Sequence, residues 1–235
     1  PSVFSLTYKG REWLATDYPE RTNKSWWNSW FGGITNRPNG IKEHHWLAEK
    51  TKAAFVKKSD SLGNVWEGIE LTTTMEKFDA LKGVTVRQYF LMMPESPVLA
   101  VYSEVLNKSG YYMPEYHHIG GYAFINYDGD MKNIQSKVVE NGRESVIKSG
   151  YDTEEGGFKS DLILFRNKTR GEIFHFFNGN TKTYGERYTD NAVIMSNFNE
   201  TRKMKNGEIK VFPPKFIIFS DIELKAEYLA DLKNI

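Results

Sequence analysis

Val84-Thr85-Val86-Arg87-Gln88-Tyr89-Phe90-Leu91-Met92, the turn Pro94-Glu95-Ser96-Pro97, and Val98-Leu99-Ala100-Val101-Tyr102-Ser103-Glu104-Val105-Leu106 form the stretch that decides the fold. The first run is β-branched and aromatic and the second is nearly unbroken apolar. The prolines between them suit a turn, and Asn107-Lys108-Ser109-Gly110 stops the second run. Two adjacent strands follow from that pattern. Upstream, Lys52 to Lys58 and Val65 to Met75 flank the turn-rich Ser59-Asp60-Ser61-Leu62-Gly63-Asn64 and read as a hairpin. In its second arm Val65, Ile69 and Leu71 share one face, and Glu70, Thr72 and Thr74 the other.

Further candidate strands run from Gly121 to Tyr127, Ile134 to Val139, Ser145 to Lys148, Asp161 to Arg166, Glu172 to Phe177, Ala192 to Ser196, Glu208 to Phe212 and Phe216 to Leu224. Near the end, Leu224, Tyr228, Leu229 and Leu232 form one helical stripe. The chain is read as all-β, a large antiparallel β-sandwich with minor helix that includes a short C-terminal helix.

The chain has 235 residues, 40% of them hydrophobic and 14% aromatic, which is enough for a sizeable core. No linker, repeat or charge block divides it, so residues 1–235 read as one sandwich domain. It starts at Pro1 with neither initiator Met nor signal peptide, which reads as a processed product or a piece of a longer polypeptide. Net charge is +1, which excludes a global field for nucleic acid or an anionic membrane. No apolar run is long enough to span a bilayer. The absence of cysteine excludes thiol catalysis, disulfides and thiolate metal sites. Asn-x-Ser/Thr sequons at Asn23, Asn107, Asn167 and Asn199 point to an extracellular or cell-surface setting, with the cytoplasm left open.

A family resemblance rests on the middle of the chain. Gly63-Asn64-Val65-Trp66-Glu67-Gly68-Ile69, Gly83-Val84-Thr85-Val86-Arg87-Gln88-Tyr89, Glu95-Ser96-Pro97-Val98-Leu99-Ala100-Val101 and Glu104-Val105-Leu106-Asn107-Lys108-Ser109-Gly110 follow in an order that resembles the galactose mutarotase-like supersandwich. That superfamily includes aldose 1-epimerases and sandwich domains of glycoside hydrolases and polysaccharide lyases. Asn206-Gly207-Glu208-Ile209-Lys210-Val211-Phe212-Pro213-Pro214 and the apolar strand after it resemble its late strands. The resemblance implies a supersandwich fold and a role on carbohydrate. It also implies a histidine acid after the apolar strand, and the matching region is Glu115 to Asn126, with His117 and His118. The spacing here is longer than in the epimerases, and the preceding Asn of their motif is absent.

The most unusual segment is Ser25-Trp26-Trp27-Asn28-Ser29-Trp30-Phe31-Gly32-Gly33, followed by Asn36-Arg37-Pro38-Asn39-Gly40. Sugars present apolar C–H faces and a rim of hydroxyls, and aromatic platforms with planar hydrogen-bonding groups match both. Trp26, Trp27, Trp30, Arg37 and Trp46 are therefore the candidate substrate contacts, on a loop rather than a strand. The competing reading makes the indoles a core plug. Candidate catalytic residues are His45, in Glu43-His44-His45-Trp46, and His117 and His118 beside Glu115. Adjacent residues of an extended chain point to opposite faces, so at most one of each pair enters a given cleft. His175, within an apolar strand, reads as a satisfied core histidine.

No zinc spacing occurs among the histidines, and Asn126 to Asn133 reads as an Asp-Gly turn rather than a calcium loop. Asp152, Glu154 and Glu155 read as a solvated loop. Phosphate-loop, dinucleotide and nucleophile-elbow motifs are absent, and no cofactor is implied. The partners expected are a saccharide or glycan, and other domains or chains of a parent protein. Two functions remain open: a carbohydrate-binding or carbohydrate-processing domain with acid–base chemistry at the anomeric carbon, and a non-catalytic interaction module of a larger extracellular protein.

Overall fold

The computed structural model describes residues 2–20, 22–25, 28–30, 32–39, 46, 48–140, 143–152, 154–179, 184–189 and 194–234. In chain order the strands are β1 (Thr7–Tyr8), β2 (Arg11–Glu12), β3 (Thr22–Ser25), β4 (Asn28–Trp30), β5 (Ile34–Pro38), β6 (Thr51–Ser59), β7 (Val65–Thr74), β8 (Val84–Met92) and β9 (Val98–Asn107). They continue as β10 (Met113–Phe124), β11 (Ile134–Glu140), β12 (Arg143–Lys148), β13 (Glu154–Phe158), β14 (Leu162–Asn167), β15 (Ile173–Asn178), β16 (Tyr184–Thr189), β17 (Ile194–Met204) and β18 (Ile209–Ser220).

A small five-stranded sheet, ordered β13-β16-β17-β10-β5, packs on a large nine-stranded one, ordered β12-β11-β14-β15-β18-β9-β8-β7-β6. Both sheets are antiparallel throughout. Between them Trp13, Phe165, Phe174, Phe176, Phe198 and Ile217 are fully buried in the main core. The reading as an all-β sandwich holds, and the decisive stretch forms β8 and β9, paired from Val84↔Asn107 to Met92↔Leu99.

Differences from the sequence reading have local causes. Glu208 to Phe212 and Phe216 to Leu224 belong to one strand, β18, with a bulge between Phe212 and Lys215 that absorbs Pro213 and Pro214. The extra residue changes the facing of the strand, so that Phe212 and Lys215 both turn inward. Both are buried, at 2% and 1% exposure. β17 runs on to Met204, past the expected end at Ser196. The C-terminal segment Ala226–Asn234 is a 3-10 helix. At about three residues per turn, Leu229 and Leu232 fall on the packed side and Tyr228 does not. Leu229 is 7% exposed and Tyr228 67%.

Two of the sequons serve the fold. Asn107 and Asn167 are buried, and each side-chain oxygen accepts backbone N–H groups of the turn that follows. Their amide groups are committed too, Asn107 to the Tyr111 carbonyl at 2.9 Å and Asn167 to Asp128 at 3.0 Å. No helix among the described residues is long and apolar enough to cross a membrane.

Candidate functional site

The outer face of the small sheet is built by a bulge in β10. Register shifts between Gly120 and Ala123, where Gly121 adopts φ +59°. A Cβ on Gly121 would lie 2.3 Å from the Phe176 ring, so glycine is needed for space as well as for conformation. Before the bulge Tyr116, His118 and Gly120 face the interior; after it Ala123 and Ile125 do. Ile119, Tyr122 and Phe124 consequently cluster together on the outer side, with Met195 of β17 against them.

His117 also lies on that outer face and is half exposed. Its Nδ1 is 2.8 Å from Thr201 Oγ1 on β17, and its Nε2 is 3.6 Å from Glu115 Oε2. Next along the face, Ile119 sits between Asn199 of β17 and Arg37 of β5. The Arg37 guanidinium lies 5.0 Å from the centre of the Tyr122 ring, with Arg37 itself only 6% exposed. One continuous strip therefore carries an imidazole, a hydroxyl, an amide, a guanidinium and aromatic rings.

His118 occupies the other side of the same strand. It is 1% exposed, stacks on Phe212 at 4.3 Å, and neither ring nitrogen has a hydrogen-bond partner among the described residues. Burial, with the Lys215 and Arg37 charges added, pulls it down to about 3, so it is neutral at ordinary pH. Nearby, Lys215 Nζ binds Glu200 Oε1 at 2.6 Å and the Pro213 carbonyl at 2.8 Å. Arg202 holds the other Glu200 oxygen at 3.0 Å. A Cβ on Gly120 would meet Lys215 Cε at 3.2 Å, so that glycine leaves room for the buried lysine. His117 and His118 thus part to opposite faces, as alternation requires, and the open face takes His117.

The remaining candidates divide. Trp46, expected to touch sugar, is instead 1% exposed in a core cluster with Met75, Val84 and Phe212. The Trp-rich run, expected as a loop, is in part a hairpin, with Thr22↔Trp30 and Ser25↔Asn28 paired. The placements of Trp26, Trp27 and His45, and the side chain of Trp30, lie outside the described residues. β4 ends at Trp30, ahead of β5 at Ile34, and Asn39 after β5 donates its N–H to the His117 carbonyl at 2.9 Å.

Asn199, Thr201 and Ile119 were missed as site residues. The signal present was the alternation Asn197-Phe198-Asn199-Glu200-Thr201, obscured because the inward Glu200 is charged. His175 is a satisfied core residue: Nδ1 donates to the Ile218 carbonyl at 3.1 Å and Nε2 accepts the Leu224 N–H at 3.0 Å. Asp128, in the Asp-Gly turn, receives Arg11 Nε at 2.9 Å.

Solved structures share this architecture. The Slr1438 protein from Synechocystis matches with a TM-score of 0.57 at 9% identity, over 92% of this chain and 87% of that one. The galactose mutarotase related enzyme from Lactobacillus acidophilus matches with a TM-score of 0.52 at 9% identity, over 90% of this chain and 88% of that one. The chain has the galactose mutarotase-like supersandwich fold. A variant of the GH36 alpha-galactosidase AgaA from Geobacillus stearothermophilus, in complex with stachyose, matches with a TM-score of 0.53 at 12% identity. There the supersandwich of this chain is covered over 94% of its length but spans only 35% of the other protein. No family model and no curated protein sequence matches.

Proposed function

We propose that the chain binds a saccharide on the outer face of the small sheet and moves a proton at its anomeric centre through His117. The observation that carries this reading is the run of His117, Thr201 and Asn199 across β10 and β17, with Arg37 and Tyr122 buried beside Ile119 at its inner end. The amide and hydroxyl match sugar hydroxyls, and we assign the stacking role to Trp26, Trp27 and Trp30, which precede β5 in sequence. In ring opening, His117 donates to the ring oxygen while a carboxylate removes the anomeric hydroxyl proton, and we assign the second role to Glu115, 3.6 Å from His117 Nε2. The fold is shared with proteins whose names refer to galactose mutarotase and alpha-galactosidase, which supports a carbohydrate.

Exchange between α- and β-anomers of D-galactose and D-glucose, followed by polarimetry, tests the reading. Wild type should exceed buffer catalysis, and His117→Asn should lose about 100-fold or more of the excess, within the usual range for a general acid. Exchange unaltered by His117→Asn excludes His117 as the acid. Saccharide binding without exchange reduces the function to binding, and neither activity removes the reading. A second reading, a module of a longer protein, draws on the 35% span of the α-galactosidase chain. There the Trp hairpin would dock a neighbouring domain, and indoles shielded from quenchers in a larger species would favour it.

A further inference from the structure

The outer face of the large sheet, on the opposite side of the molecule from His117, carries a cavity of about 200 Å³. Trp66, Leu91 and Ala100 form its floor, and Lys58, Ser59, Asp60, Tyr102 and Val211 are among its walls. Trp66 and Asp60 are built in: the indole N–H donates to Asp60 Oδ2 at 3.0 Å, and the same carboxylate receives the Leu62 and Asn64 N–H groups at 2.9 Å. These bonds hold Asp60 ionised, down at about 2.

Tyr102 is backed by Tyr89, stacked at 4.5 Å with 15° between ring planes. Tyr89 is 1% exposed, so Tyr102 is the ring of the pair that meets the cavity. The stack is fixed from behind, because the Tyr89 hydroxyl donates to Glu104 at 3.1 Å and Arg87 holds the same carboxylate at 3.3 Å. Lys58 Nζ stands 5.0 Å over the Tyr89 ring.

One cation, Lys58, and one carboxylate, Asp60, line the cavity and offset each other, so neither an anion nor a cation gains a strong hold. A neutral ligand with donors and acceptors of both kinds, and one apolar face, satisfies every feature. The volume is below the roughly 300–1,000 Å³ of drug-sized sites and suits a single ring. We propose that this cavity is a saccharide subsite that takes one ring of a neutral oligosaccharide, with its C–H face on Tyr102 and its hydroxyls on Lys58, Ser59 and Asp60. It needs neither His117 nor the Trp hairpin, and stands or falls apart from the function proposed above.

The Trp66 indole N–H resonance reports on the cavity wall in an ¹⁵N correlation spectrum. Titration with D-galactose, stachyose and maltotriose should shift it saturably, equally in wild type and His117→Asn. Val211→Trp, at a wall position that is 57% exposed, should cap the cavity and abolish the shift in a folded protein. Lys58→Ala should weaken it about tenfold. No saturable shift with any of the three sugars, or a shift that persists with Val211→Trp, overturns the proposal. A response to benzoate and not to sugar would also overturn it, in favour of an aryl-anion site.

Discussion

Two buried histidines stand in contrasting surroundings. His175, under the C-terminal segment, is 0% exposed and both its nitrogens are bonded in a single tautomer. His118, between the sheets, is 1% exposed and neither of its nitrogens has a partner among the described residues. Burial forces both to be neutral, bringing His175 to about 4 and His118 to about 3. The first is a structural clasp that ties Leu224 to β15. The second is held by ring packing on Phe212, beside the Lys215–Glu200 pair and the orphaned Tyr116 hydroxyl. The same side chain at the same depth therefore serves in one region as a hydrogen-bonding hub and in the other as an aromatic plate.

The sharpest way to break the contrast is acid. Both histidines bind a proton in the unfolded chain near the usual 6.5 and resist it in the fold, so the unfolded state gains protons as pH falls. Their stability contribution is complete above about 6.5 and is lost as pH drops toward the folded values. By pH 4.5 the loss should be about 2 to 3 kcal/mol for each, or roughly 5 kcal/mol together. Urea unfolding from pH 7 to 4.5 checks this, and stability flat across the interval would refute both assignments.

Lys215→Met should cost about 3 kcal/mol at pH 7, because Glu200 stays buried with Arg202 alone. A loss below about 1 kcal/mol would mean that water already reaches the His118 side of the core. His175→Phe should cost about 2 kcal/mol by removing both bonds of the clasp, while His118→Phe should change stability by less than about 1 kcal/mol. Equal costs in the two variants would erase the distinction, and each should remove half of the acid slope. The smallest effect belongs to His117→Asn, within about 0.5 kcal/mol, because His117 is half exposed. A larger destabilisation there would make His117 structural.

Much of the architecture was legible because alternation and turns are local. β8, β9 and the β6–β7 hairpin lie almost where the pattern puts them. The elements that escaped are those in which a charge faces inward. β17 looked finished at Ser196 because Glu200 reads as a surface residue until Lys215 is set beside it. β18 looked like two strands because Pro213 and Pro214 read as a break until the bulge absorbs them. In the candidate site, His117 and Arg37 were visible as residue types, whereas Asn199 and Thr201 acquire meaning only as cross-strand neighbours.

Composition and period were enough for the all-β class, the absence of thiol chemistry and the rule that one histidine of a pair faces a cleft. They did not say which one. That choice depends on how β10 lies between β5 and β17 and on the Phe212–Lys215 bulge, which together set which side of the strand is covered. Facing along a strand is a local property of the backbone. Burial is a property of what packs against it, and residues far apart in sequence supply that packing only when the sheets close.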